Sequence, residues 1–233
     1  MRLAIFSDIH SNLEALRAAD RLLASLAIDE IVCLGDIVGY GADPNPCIDY
    51  VRTNCKIIVR GNHDAAMIKP SLINSFTRRA AEAARWTIDQ LTPANSAYLA
   101  SLPLVETAHE CTFVHSSPFQ PDEWEYIFHP SHTDRVFPSF STPICFFGHT
   151  HIPMIFQKGS IVTSIERNGK FLVNPGSIGQ PRDGDPRLCF GIFDTAEWTF
   201  DYVRTTYDID TTAMKIVRAG LPPSLGERLY LGT

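Results

Sequence analysis

A chain of 233 residues with 45% hydrophobic residues can bury a full core, and without an obvious linker we expect one domain over residues 1–233. Its net charge of −6 and the lack of clustered lysine and arginine argue against a nucleic-acid-binding surface. The apolar run at residues 2–6 is too short for a signal peptide, and no run is long enough to cross a bilayer. We therefore predict a cytoplasmic protein without a membrane partner.

The first half of the chain predicts three short strands that each end in polar residues. Residues 2–6 form an apolar strand that runs into Ser7-Asp8-Ile9-His10, and the strand at 31–34 runs into Gly35-Asp36. A third strand, at residues 56–59, runs into the cluster Arg60 to Asp64. Because ligands of open α/β sheets bind at the carboxyl ends of the strands, we expect these clusters to meet at one edge.

Helices are predicted between and after these strands. Ser11 and Glu14 predict a capping box for the first helix, and Asn45 predicts the cap of a helix at 46–54. Amphipathic spacing predicts further helices from 74 to 89, from Thr92-Pro93 to about residue 102, and from 208 to 219. An apolar C-terminal tail around Leu229 and Tyr230 is expected to pack on its own domain.

The second half adds two further strands that end in histidine. Strands at 104–108 and 111–114 lead to His115, and a strand at 144–147 leads to Gly148-His149-Thr150-His151. The segment at 119–143 is rich in proline, aromatic and acidic residues, and we expect it to cover or border the polar edge. Short strands after residue 152 predict a second sheet, and the connection from Asn174 is expected to return to that edge.

The six cysteines are scattered without a C-x-x-C pair, and three of them lie in predicted strands. This pattern predicts buried core thiols and implies neither a disulfide framework nor a zinc knot. They are Cys33, Cys47, Cys55, Cys111, Cys145 and Cys189.

The polar residues that follow the strands form a mixed set of imidazole, carboxylate and amide groups. They are Asp8, His10, Asp36, Asn62, His63, His115, His149 and His151. Such nitrogen and oxygen ligands suit divalent transition-metal ions better than calcium or magnesium. Seven candidate ligands, the set without His63, are too many for one centre with an open position. We therefore predict two ions that share the Asp36 carboxylate. Manganese is the first choice, with iron, zinc, nickel or cobalt as alternatives.

In this order, the motifs Asp8-x-His10, Gly35-Asp36, Gly61-Asn62-His63-Asp64, His115 and Gly148-His149-x-His151 resemble those of the calcineurin-like metallophosphoesterase superfamily. Gly35 to Gly41 and Asn174 to Ser177 look like its small bacterial and archaeal predicted-phosphodiesterase branch, and the resemblance spans about residues 1–190. It implies an α/β fold, a four-layer α/β/β/α sandwich of two mixed β-sheets flanked by helices, with a dinuclear centre at one edge.

The resemblance also implies a role for each residue of the set. It places the first metal on Asp8, His10, Asp36 and His151, and the second on Asp36, Asn62, His115 and His149. His63 would contact the phosphoryl group and protonate the leaving oxygen. Two cations about 3.5 to 4 Å apart can share a hydroxide that attacks in line.

One departure from the superfamily concerns the second motif. Many of its protein phosphatases carry Gly-Asp-x-x-Asp-Arg-Gly, whereas Gly39 and Tyr40 stand at the second Asp and the Arg here. Asp64 is therefore a candidate for orienting His63, and Arg60 and Arg182 are candidates for binding phosphate.

We therefore predict a phosphodiesterase that acts on a small phosphorylated metabolite or nucleotide by attack of a metal-bridging hydroxide. Two alternatives stay open. One is a phosphomonoesterase, including a protein Ser/Thr phosphatase, and the other is a metal-binding scaffold protein without catalysis.

Overall fold

The computed structural model describes all of residues 1–233, which form eleven strands in two sheets and seven α-helices. The strands are β1 (Arg2–Phe6), β2 (Glu30–Cys33), β3 (Cys55–Ile58), β4 (Val105–Ala108), β5 (Cys111–Val114), β6 (Ile144–Phe146), β7 (Met154–Gln157), β8 (Ser160–Val162), β9 (Phe171–Asn174), β10 (Leu188–Asp194) and β11 (Thr199–Thr205). The helices are α1 (Leu13–Leu23), α2 (Pro44–Asn54), α3 (Asn62–Ile68), α4 (Arg78–Gln90), α5 (Pro93–Ser101), α6 (Ile209–Arg218) and α7 (Ser224–Glu227).

Both sheets are mixed, and each contains three neighbouring parallel strands. The first sheet has the order β11-β10-β1-β2-β3, with β1, β2 and β3 parallel and β10 and β11 antiparallel. The second has the order β4-β5-β6-β9-β7-β8, with β5, β6 and β9 parallel. The parallel strands of each sheet therefore deliver the residues that follow them to one edge.

The two sheets pack face to face through alternating side chains of their strands. In β1, Leu3 and Ile5 join a core with Phe113, Phe146 and residues of the second sheet, whereas the neighbouring β1 side chains face the helices. Successive side chains of a strand point to opposite faces, so one short strand contributes to two cores. Each buried phenylalanine of this kind stabilises the fold by roughly 1.5–3 kcal/mol.

The outer layers differ between the two sheets. Helices α1, α2, α4 and α5 cover the first sheet through a core of alanine, leucine and isoleucine side chains. The second sheet is covered by the segment at 119–143, whose Ile127, Val136, Phe137 and Phe140 pack on Phe147 and Phe156. Only 3-10 turns occur in that segment. The predicted sandwich of two mixed sheets flanked by helices is confirmed, with an irregular layer on the outside of the second sheet.

Four local predictions were wrong. The helix α2 begins at Pro44 after Asp43, so Asn45 lies inside it and is not its cap. Asn12, not Ser11, caps α1 by accepting a hydrogen bond from the Ala15 amide, so the Ser11–Glu14 capping box does not form. Thr77 caps α4, which begins four residues after the predicted start at residue 74. Of the short strands predicted after residue 152 to form a second sheet, the last two, β10 and β11, join the first sheet instead, where β10 pairs with β1 and β11 with β10.

The cysteines and the C-terminal tail agree with the sequence predictions. All six cysteines are free and buried. Leu229 is buried with Ile216, Leu221 and Leu225, and the Tyr230 hydroxyl donates a hydrogen bond to Asp210, so the tail packs on its own chain. None of the helices is long and apolar enough to cross a membrane.

The tail offers a matched test of this packing. Leu229 is 3% exposed and Leu231 is 63% exposed. We predict that Leu229→Ala lowers the free energy of unfolding by about 2–5 kcal/mol, because it removes buried methyl groups and leaves a cavity. Leu231→Ala should change it by less than about 0.5 kcal/mol. Urea denaturation followed by circular dichroism measures both; equal effects would contradict the packing described here.

Candidate metal centre

The loops that follow the strands turn sharply at the residues of the polar set. Asp8, His10, Asp36, His149 and His151 have positive φ angles of 55°, 50°, 51°, 64° and 62°. Residues other than glycine rarely adopt this left-handed conformation, and it costs on the order of 1 kcal/mol or more at each position. Five such residues in one cluster, held by two buried cores, are typical of a functional site.

The structure brings the predicted residues together in two groups that share one carboxylate. Potential ligand atoms of each group lie within 4.8 Å of one another, and all the residues concerned are buried. The first group is Asp8, His10, Asp36 and His151, and the second is Asp36, His115 and His149. The Asn62 side-chain oxygen lies 3.2 Å from Nε2 of His115 and so adjoins the second group.

The two oxygens of Asp36 have different surroundings. Oδ1 accepts a hydrogen bond from the backbone amide of His63 at 2.8 Å. Oδ2 lies 3.5 Å from Nε2 of His10 and 3.3 Å from Nε2 of His115, which belong to different groups. The protein therefore fixes one oxygen and leaves the other between the two groups.

Asp8 shows the same division between a held and a free oxygen. Its Oδ2 accepts hydrogen bonds from the Ser7 hydroxyl at 2.7 Å and from the His149 amide at 3.1 Å. Its Oδ1 is buried without a hydrogen-bond partner and lies 3.3 Å from Nε2 of His151. A buried carboxylate oxygen without a partner is costly unless a cation binds it. The donor set therefore fits divalent ions at this site.

Each histidine of the two groups is fixed by a backbone carbonyl. The Nδ1 atoms of His10, His115 and His151 lie 3.0, 2.8 and 2.6 Å from the carbonyl oxygens of Val38, Leu34 and Gln180. His149 is reversed, with Nε2 3.0 Å from the Trp124 carbonyl. A ring that donates one N–H to a carbonyl presents its other nitrogen as a ligand, as is usual for metal-binding histidines.

Burial and charge set the protonation of the cluster. Burial lowers the pKa of His149 to about 3, and it holds the pKa values of His10 and His151 well below the ordinary range. Burial would raise the pKa of Asp36, but the neighbouring histidines His115, His63 and His10 together outweigh it and lower that pKa. Burial would lower the pKa of His115, but Asp36, Asp8 and the Leu34 carbonyl together outweigh it and raise that pKa to about 9. Most of these imidazoles are therefore neutral, with a lone pair free for a cation.

His63 lies beside the two groups in an aromatic environment. Its ring packs 4.6 Å from the rings of Tyr40 and Phe76 and 4.9 Å from that of His10, measured between centroids. Burial lowers its pKa to about 4. Its Nδ1 is buried without a hydrogen-bond partner, and a Cβ at Gly39 would lie 2.4 Å from it. The glycine therefore gives the ring room to pack on the loop.

Asp64 does not orient His63 through a hydrogen bond, so that prediction was wrong. Its Oδ1 accepts from the amides of Ile37 and Val38 at 3.0 and 3.2 Å, and its Oδ2 accepts from the Gly61 amide at 3.0 Å. All of its near partners are therefore backbone groups. Asp64 holds the loop after β2 against the start of α3, and so fixes the backbone that carries Asp36.

The two candidate phosphate-binding arginines differ in position. Arg182 hydrogen-bonds Gln180, whose carbonyl holds His151, and its guanidinium lies over the Tyr40 ring at 5.7 Å. Its positive charge contributes to the lowered pKa of His63 and His151. Arg60 donates its one side-chain hydrogen bond to the Ala100 carbonyl at 3.3 Å, and we find no contact between its guanidinium and the two groups. Arg182 is therefore the better placed of the two.

The segment at 119–143 contacts the second group of candidate ligands, as expected. Besides the Trp124 carbonyl, the Tyr126 ring stacks on His149 at 3.9 Å and on Phe128 at 5.2 Å. The connection after β9 also returns to the site, where the Ser177 hydroxyl donates to the Asp8 carbonyl at 2.9 Å. The contacts that the sequence did not predict are mostly to backbone carbonyls, which leave no residue-type signal.

Comparisons with known proteins agree with this geometry. A family model described as the calcineurin-like phosphoesterase superfamily domain matches residues 1–197. The uncharacterized protein MJ0912 of Methanocaldococcus jannaschii is 41% identical, over 99% of this chain and 98% of its own length.

Two crystal structures resemble the whole chain. A metallophosphoesterase from Sphaerobacter thermophilus has a TM-score of 0.89 and 38% identity, over 100% of this chain and 99% of that one. The hypothetical protein PH1004 of Pyrococcus horikoshii OT3 has a TM-score of 0.83 and 20% identity, over 100% and 98%, and supports the fold alone. The protein therefore belongs to the calcineurin-like phosphoesterase superfamily.

Proposed function

We propose that the protein is a phosphodiesterase that uses two divalent ions, manganese in the first instance, to hydrolyse a small phosphorylated metabolite or nucleotide. Membership of the superfamily supports a phosphoester hydrolase that uses divalent metals. The observation that carries the dinuclear proposal is the Asp36 carboxylate, which belongs to both groups of potential ligands.

In this proposal each group holds one ion. Asp8, His10, Asp36 and His151 would hold the first, and Asp36, Asn62, His115 and His149 the second. When bound, two divalent ions lower the pKa of a water molecule and neutralise the negative charge on phosphoryl oxygens. The protein supplies the fixed orientation of the ligands, because backbone carbonyls hold the four rings and backbone amides hold one oxygen of each carboxylate.

His63 and Arg182 act on the substrate itself. Burial keeps the His63 imidazole neutral, so its one N–H can donate a hydrogen bond to the leaving oxygen and stabilise the negative charge that develops there. Arg182 supplies the positive charge next to the cluster for a nonbridging phosphoryl oxygen.

Hydrolysis of two chromogenic esters tests the proposal. Protein stripped with chelator and refilled with Mn²⁺ should hydrolyse bis-p-nitrophenyl phosphate, and the stripped protein should not. Turnover of p-nitrophenyl phosphate in preference to the diester would indicate the phosphomonoesterase instead. No turnover of either ester by metal-loaded protein would favour the scaffold.

We predict that His63→Ala lowers diester turnover by at least ~100-fold, because it removes the hydrogen bond that stabilises the charge on the leaving oxygen in the transition state. Metal content, measured by mass spectrometry, should stay at the wild-type value, since the His63 side chain belongs to neither group. His109→Ala is the control, because His109 pairs with Glu30 at the opposite end of β5. Unchanged turnover of His63→Ala with full metal content would remove His63 from the mechanism.

The packing of His63 on Gly39 predicts a second effect. Gly39→Ala should lower turnover by at least ~10-fold, because the new methyl group displaces the ring, and misplacement by about 1 Å can cost ~100-fold in rate. Gly184→Ala is a matched control, since Gly184 also has a positive φ (84° against 96°) but nothing within 4 Å of the added Cβ. Equal turnover of the two variants would show that the contact with Gly39 does not position His63.

A further inference from the structure

A cavity of about 570 Å³ lies beside the second group of candidate ligands. None of the eight polar residues at the strand ends lines it. Trp124 connects the two places, because it lines the cavity while its carbonyl holds His149 and its ring lies 6.2 Å from that of His115. Arg60 and Ala65 of the lining flank Asn62 along the chain. A substituent of a phosphoryl group at the second metal position would therefore lie next to this cavity.

The lining combines an aromatic ring, an apolar wall and charges of both signs. Trp124 faces a cavity that Ile68, Leu72 and Leu104 also line. These are the side chains against which a flat aromatic group packs. The volume is within the range of small-molecule sites, about 300–1,000 Å³.

The charged residues of the cavity are unpaired. Arg60 and Lys69 form no ion pair, and Nε of Arg60 is buried without a hydrogen-bond partner. Asp122 and Glu123 also line the cavity, and both are exposed to solvent. Lys69 is exposed too, so the charges of all three residues are hydrated in the free protein. Paired hydroxyls of a ribose are suitable hydrogen-bond donors for carboxylates, whereas an acyl chain would displace that water without replacing its hydrogen bonds.

We propose that this cavity receives the nucleoside of a nucleotide phosphodiester, with the base packed on Trp124 and the ribose hydroxyls near Asp122 and Glu123. The positive charges of Arg60 and Lys69 offset the negative charge of the nucleotide. This inference rests on the proposed function, because it places the reacting phosphoryl group at the metal centre. It narrows the substrate class from phosphorylated metabolites in general to nucleotides.

Binding of two phosphonates to Mn²⁺-loaded protein tests the inference without catalysis. One is the analogue of adenosine 5′-monophosphate with CH₂ in place of the ester oxygen, and the other is the same ribose phosphonate without the base. Calorimetry should show the adenosine analogue binding at least ~10-fold more tightly, since stacking of a base on an aromatic side chain is worth about 1–3 kcal/mol. Equal affinities would overturn the inference.

Variants test whether the cavity causes the tighter binding of the adenosine analogue. Trp124→Ala should abolish it while keeping the backbone carbonyl that holds His149, and Leu72→Trp should abolish it by filling the cavity. Phe128→Ala should keep it, because Phe128 stacks on Tyr126 in the same segment but does not line the cavity. Loss of the preference in Phe128→Ala alone would place the base on the Tyr126–Phe128 pair and overturn the inference.

Diester turnover by the wild-type protein separates this inference from the proposed function. Hydrolysis of bis-p-nitrophenyl phosphate with equal phosphonate affinities would contradict the nucleoside cavity and keep the phosphodiesterase. A preference for adenosine that depends on Trp124, without turnover of either ester, would support the nucleoside cavity and contradict the phosphodiesterase.

Discussion

The Asp36 carboxylate is the constraint on which the rest of the site depends. One oxygen is held by the His63 amide, and the other lies between His10 and His115 of the two groups. Its position requires the loop after β2 to be rigid, and Asp64 supplies that rigidity through the amides of Ile37 and Val38. Two carboxylates, one at the site and one behind it, thus connect the first sheet to α3.

Burying these polar and strained residues costs free energy of folding, and the packing of the two cores offsets that cost. Carboxylates and imidazoles are buried together, and several of them have strained backbone conformations. The sheet-to-sheet core and the helix-covered core fix the strands from which these loops emerge. Backbone carbonyls then fix the rings, so a bound cation would meet ligands that are already oriented.

The sequence predicted the site better than the topology around it. Apolar strands followed directly by Asp8, Asp36, Asn62, His115 and His149 are a local pattern, and the parallel strands bring such residues to one edge. The assignment of β10 and β11 to the first sheet could not be predicted, because strand pairing over nearly 190 residues leaves no local signal.

Hydrogen bonds between side chains and backbone groups could not be predicted from the sequence either. Asp64 was expected to orient His63 because Gly39 stands where many relatives have an orienting Asp, but its hydrogen bonds go to the backbone amides of Ile37 and Gly61. The cap of α1 was misplaced by one residue because Ser11 and Asn12 are both good capping residues, and only the backbone geometry decides between them.

The most direct test of a shared carboxylate is a crystal structure of the Mn²⁺-loaded protein with anomalous scattering from manganese. We predict two anomalous peaks, one among Asp8, His10 and His151 and the other among Asn62, His115 and His149, with Asp36 in contact with both. A single peak at full manganese occupancy, or two peaks of which only one contacts Asp36, would contradict the dinuclear centre proposed here.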